Sequence, residues 1–114
     1  QLYDYKNGNP LMPENENYSR YRKQNDGTYK MKYKLGNHCW RMWSSSVLTW
    51  DVKVVPCCFD KDAKHVLGLV GSKDFISIWK SSKYKEFRNS VLRSRNTIDI
   101  CKNCSEGTKV WVLV

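Results

Sequence analysis

The chain has 114 residues and five cysteines, and its formal net charge is +9. This length fits one domain, and the abundance of apolar and aromatic residues excludes an intrinsically disordered chain. No apolar run approaches the roughly 20 residues that a membrane helix needs, and no signal peptide is evident, so we expect no membrane partner.

The cysteine count predicts the compartment. Five is an odd number, so disulfides could not use every thiol, and no secretory signal supports oxidation. We therefore expect a reducing cytoplasm. The chain begins at Gln1 and not at methionine, which favours a piece of a longer protein or a processed product.

Basic residues form two groups along the chain. The first group consists of Lys30, Lys32 and Lys34. The second group consists of Lys80, Lys83, Lys85, Arg88, Arg93 and Arg95. Two interpretations stay open: these groups are solvated faces, or they dock onto an acidic neighbouring domain or substrate. Specific nucleic-acid binding is the use that we expect least.

Residues 1–34 are mostly polar and predict an N-terminal extension or linker. Asp26-Gly27 is a turn signal. After it, large residues alternate with lysines from Tyr29 to Leu35, which predicts an edge strand with a lysine face. We place the domain itself at residues 35–114.

Two β-branched runs, Val47–Trp50 and Lys53–Val55, predict a β-hairpin around a two-residue turn at Asp51-Val52. Such a turn favours positive φ, which glycine tolerates and valine does not. Val52 should therefore cost about 1 kcal/mol or force a different turn. Pro56 ends the second strand and directs the next side chain away from it.

Two short helices are predicted after a turn at 68–71. Ser72 is the expected cap of the first helix and Ser81 or Ser82 that of the second, because a serine hydroxyl accepts an otherwise unpaired backbone N–H. The apolar faces consist of Phe75, Ile78 and Trp79 on the first helix and of Tyr84, Phe87, Val91 and Leu92 on the second.

These elements predict an α+β fold, in which a small hairpin-based sheet and two short helices surround a four-cysteine metal site. Trp40, Trp50 and Trp79 are assigned to packing around that site. The apolar residues 110–114 predict a final strand.

All five cysteines lie between residues 39 and 104: Cys39, the pair Cys57-Cys58, and the C-x-x-C turn of Cys101 and Cys104. Four thiolates suit either Zn²⁺ or an iron–sulfur cluster. Structural zinc more often uses two C-x-x-C turns, and this chain has one. The other interpretation is that the cysteines are buried small hydrophobic residues without a metal.

Several motifs occur in the order of a known family. They are Cys39-Trp40, the hairpin leading into Val55-Pro56-Cys57-Cys58-Phe59-Asp60, Leu67-Gly68, Ile78-Trp79-Lys80, Tyr84 to Arg88, and Cys101-Lys102-Asn103-Cys104. Together they resemble the SPASM domain, the auxiliary iron–sulfur module of radical SAM enzymes, in its short form with one cluster. The resemblance covers about residues 35–107.

The resemblance implies a 4Fe–4S cluster held by Cys39, Cys57, Cys101 and Cys104. Cys58 is the rival of Cys57, because one residue reverses the direction of a side chain. In this family the hairpin cysteine follows a turn glycine by five residues. Val52 occupies the place of that glycine, and this spacing favours Cys57. The resemblance also suggests the amides of residues 102, 103 and 105 as donors to the cluster sulfurs.

The function that the resemblance implies is electron transfer to or from a substrate radical, together with substrate positioning, and the substrate in this group is often a peptide or protein. The sequence contains no C-x3-C-x2-C motif, which would hold the cluster that cleaves S-adenosylmethionine. We therefore expect the barrel domain that binds this cofactor upstream of Gln1, and a non-catalytic role for the present chain. The alternative is a four-cysteine zinc module for nucleic-acid or protein interaction.

Overall fold

A computed structural model describes residues 10–107. It confirms the α+β class: two small antiparallel sheets and short helices make up the fold. The predicted final strand at residues 110–114 lies outside the described residues. No helix within residues 10–107 is long and apolar enough to cross a bilayer.

The first sheet is a hairpin of β1 (Tyr21–Lys23) and β2 (Tyr29–Met31). Its turn has Gly27 at a φ of 83°, as the Asp-Gly signal predicts. The strand expected from Tyr29 to Leu35 is present but ends at Met31. The side-chain amide of Asn103 donates to the carbonyl oxygen of Tyr29 at 3.1 Å, so this hairpin contacts the C-x-x-C turn. The division of the chain at residue 35 stays a prediction.

The second sheet has the order β3-β4-β5, with β3 at Val47–Leu48, β4 at Lys53–Val55 and β5 at Gly68–Leu69. β5 replaces the turn expected there, because Val54 and Lys53 pair with these two residues. The absence of a side chain at Gly68 allows a helix to pack closely on this strand. A Cβ at Gly68 would lie 2.8 Å from a methyl carbon of Ile78.

The β3–β4 turn has three residues, where the sequence predicts two. The Thr49 N–H donates to the carbonyl of Lys53 at 2.9 Å, and the Val52 N–H donates to the carbonyl of Thr49 at 3.0 Å. Val52 has a φ of 61°, so the expected left-handed valine is confirmed. The longer turn takes Trp50 out of the strand and leaves its side chain 96% exposed. The prediction that Trp50 packs around the metal site is therefore wrong.

Three α-helices follow one another along the described chain: α1 (Arg41–Ser44), α2 (Phe75–Trp79) and α3 (Ser82–Ser94). The short helix α1 is not among the helices predicted from the sequence. Asp74, and not Ser72, caps α2, because its carboxylate reaches the Ser77 N–H at 2.9 Å. Ser81 caps α3 as predicted, accepting from the Tyr84 N–H at 3.3 Å.

The interior consists of two groups of side chains beneath α3, which we call the cysteine core and the aromatic core. The cysteine core contains Met42, Val91, Ile98 and Ile100, with Cys39, Cys57, Phe59, Phe87 and Cys101 packed against them. The aromatic core contains Val54, Leu67, Ile78 and Tyr84, with Val70, Trp79 and Phe87 packed against them. The predicted inward face of α3 is therefore present except at Leu92, which is 48% exposed.

Candidate metal centre

Three segments bring the cysteines together. Cys39 immediately precedes the turn into α1, Cys57 and Cys58 follow β4, and Cys101 and Cys104 lie beyond α3. Cys39, Cys57 and Cys101 pack against the cysteine core, and Cys104 is buried. Four of the five thiols thus share one side of the interior, although they come from distant parts of the sequence.

Cys57 and Cys58 face different surroundings. The Asp60 N–H donates to the carbonyl oxygen of Cys57 at 3.1 Å, and the backbone amides of Phe59 and Asp60 lower the pKa of the Cys57 thiol against the larger effect of burial. Cys58 is exposed, and its sulfur lies 3.7 Å from a guanidinium nitrogen of Arg41. This difference favours Cys57 as the partner of the other three thiols, in line with the spacing argument.

The loop after Cys57 is organised by Asp60. This carboxylate is only 3% exposed, and it accepts hydrogen bonds from the N–H groups of Lys64 and His65, both at 2.9 Å. A buried carboxylate with two backbone donors is well satisfied and rigid. Asp60 therefore holds the turn that follows Cys57, in which its own N–H donates to the Cys57 carbonyl oxygen.

Glu106 and Gly107 connect Cys39 with Cys104. The sulfurs of Cys39 and Cys104 lie 3.9 and 3.8 Å from the same oxygen, the carbonyl of Glu106. The Trp40 N–H donates to the carbonyl of Gly107 at 2.9 Å. Gly107 has a φ of 77°, and a Cβ there would lie 2.5 Å from the Cys39 sulfur. Only glycine fits this approach without displacing a candidate ligand.

The thiols are strongly perturbed. Burial raises the pKa of Cys57 to about 11 and that of Cys101 to about 12, and it also raises the pKa of Cys104. Repulsion between neighbouring thiolates adds to each rise. Cys101 is affected by Cys57, Cys104 and Cys39, which identifies these four as electrostatic neighbours. Without a bound cation, Cys57, Cys101 and Cys104 are therefore protonated at neutral pH.

The donor set fits a group that binds thiolates, because thiolate sulfur is a soft ligand and four partly or fully buried cysteines lie on this side of the interior. Within residues 10–107, no three or more His, Cys, Asp or Glu side chains are already arranged to hold a metal ion. Ligand side chains of small cysteine sites commonly become organised only when the metal binds. The four thiols are neighbours, and their final coordination geometry would form on binding.

Sequence reasoning missed Arg95. It belongs to the second predicted basic group, yet its side chain is only 2% exposed. Its guanidinium donates to the carbonyls of Cys104 at 2.8 Å and of His38 at 3.1 Å. The pattern Arg93-Ser94-Arg95 carries no signal that separates this arginine from its exposed neighbour.

Arg88, the other buried member of the second basic group, lies on the same side of α3 as the apolar stripe, as the sequence predicts, and packs against the rings of Trp79 and Tyr84. The packing predicted for another residue is wrong. Trp40, expected to pack around the metal, is 72% exposed, because its backbone and not its ring joins Gly107. Trp79 does pack inside the protein, but against the aromatic core and not around the candidate metal centre.

Comparisons with known proteins agree with this picture. The family model for the SPASM iron–sulfur cluster-binding domain matches residues 39–105. A curated relative, the S-adenosyl-L-methionine-dependent 2-deoxy-scyllo-inosamine dehydrogenase of Niallia circulans, is 34% identical over 61 residues. That match covers 53% of this chain and 24% of the relative, so the chain spans about a quarter of that protein's length.

A solved structure is similar as well. The crystal structure of selenomethionine-labelled BtrN in an open conformation has a TM-score of 0.54 and 31% sequence identity, over 60% of this chain and 33% of the other. The family model covers more than half of the sequence and spans every cysteine. The chain therefore belongs to the SPASM family of iron–sulfur cluster-binding domains.

Proposed function

We propose that Cys39, Cys57, Cys101 and Cys104 hold a 4Fe–4S cluster. The observation that carries this proposal is the gathering of these four thiols beside one core, with Cys58 turned out to solvent. Family membership supports iron and sulfide as the occupant, in place of zinc.

The proposed role is that of an auxiliary cluster in a radical SAM enzyme. A cluster ligated by cysteines supplies one-electron transfer when it is bound. The curated relative is named as an S-adenosyl-L-methionine-dependent dehydrogenase, which supports a redox role beside a barrel domain that binds this cofactor. We further propose that the cluster transfers an electron to or from the substrate radical and helps to position the substrate, which is a peptide or protein. The proposed location of the enzyme is the cytoplasm.

The chain's own residues would tune the site through hydrogen bonds to sulfur. The backbone amides of Phe59 and Asp60 favour the thiolate form of Cys57, and that of Glu106 favours the thiolate form of Cys104. Such donors stabilise thiolate charge and so raise the reduction potential. The amides of residues 102, 103 and 105 remain proposed donors.

Anaerobic reconstitution of the full chain tests the cofactor. We expect a broad absorption band near ~400 nm, and about four irons and as many acid-labile sulfides per chain. A colourless protein that retains one tightly bound Zn²⁺ would instead identify a zinc module and refute the cluster.

The two adjacent cysteines provide a matched test of the ligand set. We expect Cys57→Ser to lose most of the iron, as Cys101→Ser and Cys104→Ser would, because the serine oxygen replaces a soft ligand. Cys58→Ser should retain most of it. Equal losses in Cys57→Ser and Cys58→Ser would show that the choice between them is wrong.

A further inference from the structure

Arg95 lies where the cysteine-bearing segments meet. It begins the 3₁₀ helix Arg95–Thr97 that follows α3. Its guanidinium contacts the carbonyl of the residue before Cys39 and the carbonyl of Cys104, and its backbone N–H donates to the side chain of Asn37 at 3.2 Å. One side chain thus joins α3 to both ends of the candidate metal centre.

No carboxylate among residues 10–107 forms an ion pair with Arg95. Within residues 10–107, the ion pairs are Arg41–Glu106, Lys53–Asp51 and His65–Asp99. Arg95 has only carbonyl acceptors, and its Nε atom is buried without a hydrogen-bond partner in the described chain. A buried unpaired charge destabilises a protein by several kcal/mol, so a nearby anion is expected.

The thiolate site is an anionic group that this chain could form close to Arg95, because the guanidinium binds the carbonyls of Cys104 and of the residue before Cys39. The positive charge of Arg95 favours the thiolate forms of Cys101 and Cys104. Four thiolates outweigh the positive charge of an iron–sulfur core, so a fully ligated cluster is an anion. Reduction adds one more negative charge to it.

We propose that Arg95 is the built-in counter-cation of the cluster and raises its reduction potential. This inference rests on the proposed cluster. A fixed positive charge stabilises the reduced form more than the oxidised form, because the reduced form carries more negative charge. Arg95 acts through its charge, and its two contacts to carbonyl oxygens keep the guanidinium in place. It is a positioning residue and does not ligate iron.

Arg88 is the matched control. It is also buried, also donates to two carbonyls, those of Met42 at 2.8 Å and Trp79 at 3.0 Å, and also has an unpartnered nitrogen. Its guanidinium carbon lies 4.3 and 4.1 Å from the ring centres of Trp79 and Tyr84, which face its charge. The charge of Arg88 favours the ionised form of Tyr84, whereas that of Arg95 favours the thiolate forms of Cys101 and Cys104.

The test compares Arg95→Gln, Arg95→Lys and Arg88→Gln in the reconstituted full chain. Iron and sulfide are counted first, and their absence from the unaltered protein would refute the cluster itself. The midpoint potential is then measured by a redox titration followed by electron paramagnetic resonance. We expect Arg95→Gln to shift the potential to a more negative value, Arg95→Lys to shift it less, and Arg88→Gln to leave it unchanged.

An Arg95→Gln protein with a full cluster and an unchanged potential would overturn the proposal, and so would an equal shift in Arg88→Gln. If Arg95→Gln takes up no iron, Arg95→Lys decides. Restored uptake supports a role of the charge, whereas failure of the lysine variant too would show that only the guanidinium's carbonyl contacts matter.

Discussion

The cysteine core and the aromatic core differ in how they are completed. Both lie beneath α3, share Phe87 and include a buried arginine that donates to two carbonyls. In the aromatic core the arginine stacks on two rings, and the Tyr84 hydroxyl donates to the Ser46 hydroxyl at 3.0 Å. Next to the cysteine core, Arg95 has no such ring contact among the described residues and donates to the carbonyls of Cys104 and His38.

The difference points to the half of the molecule that would depend on a bound group. Stacked rings satisfy a guanidinium within the protein. Cys57 and Cys101 have raised pKa values, and within residues 10–107 the guanidinium of Arg95 has no carboxylate partner. We therefore expect the aromatic core to be stable in the chain alone and the cysteine core to be completed by the proposed cofactor.

Removal of the metal should have the largest effect. Stripping iron from the reconstituted chain should remove on the order of 10 kcal/mol of binding energy that is coupled to folding. Amide hydrogen exchange followed by mass spectrometry should then show lost protection at Ile98–Cys104, while residues near Val54 and Leu67 keep theirs. A uniform loss over both cores would contradict their separate dependence.

Truncation in the aromatic core should have the next largest effect. Ile78 is 1% exposed and fills the space beside Gly68, so Ile78→Ala should lower the free energy of unfolding by about 2–5 kcal/mol in urea titrations. The neighbouring Ile76 is 56% exposed, and Ile76→Ala should cost less than about 0.5 kcal/mol. Iron uptake by folded Ile78→Ala should be unchanged, and impaired uptake would show that the cores are coupled.

Alkaline pH should destabilise the metal-free protein. The folded-state pKa values of Cys57, about 11, and Cys101, about 12, exceed the ordinary value of 9.0. The unfolded chain therefore loses these protons first, and the stabilisation is complete below pH 9 and is lost as the pH rises toward 11–12. Melting temperatures under reducing conditions should fall over this interval.

Two cysteine variants test whether the buried thiols cause the loss of stability at alkaline pH. Cys101→Ala should flatten the decline, and the exposed Cys58→Ala should leave it unchanged. Burial also raises the pKa of Tyr84 above 10.0, so the measurement is repeated in Tyr84→Phe. A decline that disappears with the tyrosine and not with Cys101 would place the titrating group in the aromatic core.

The smallest expected effect is at the β3–β4 turn. Val52→Gly should raise the free energy of unfolding by about 1 kcal/mol, because glycine adopts positive φ without the strain that valine has at 61°. Thermal melting of the metal-free chain measures this change in stability. Ala63→Gly, at a residue with a φ of 50°, is the variant for comparison. A lower melting temperature in Val52→Gly would show that the side chain contributes more than the strain costs.

Local pattern alone determined much of this protein. The β3 and β4 strands, the serine cap and inward stripe of α3, and the left-handed conformation of Val52 all follow from neighbouring residues, because propensity, capping and turn sterics act over a few positions. The order of the cysteine segments was equally readable from the sequence, and with it the family. The cap of the short helix α2 was harder to predict from the sequence, because Ser72 and Asp74 both can cap a helix and lie within three residues of each other.

Only the tertiary structure decided which charges and rings are inside. Arg93 and Arg95 are indistinguishable as sequence, but α3 ends between them and the chain turns inward, so one is solvated and the other lies buried beside Cys104. Trp50 is apolar and yet exposed, because a three-residue turn places it at the tip. Burial depends on contacts between residues far apart in the chain, and for the metal centre those contacts join residues 38, 95 and 104.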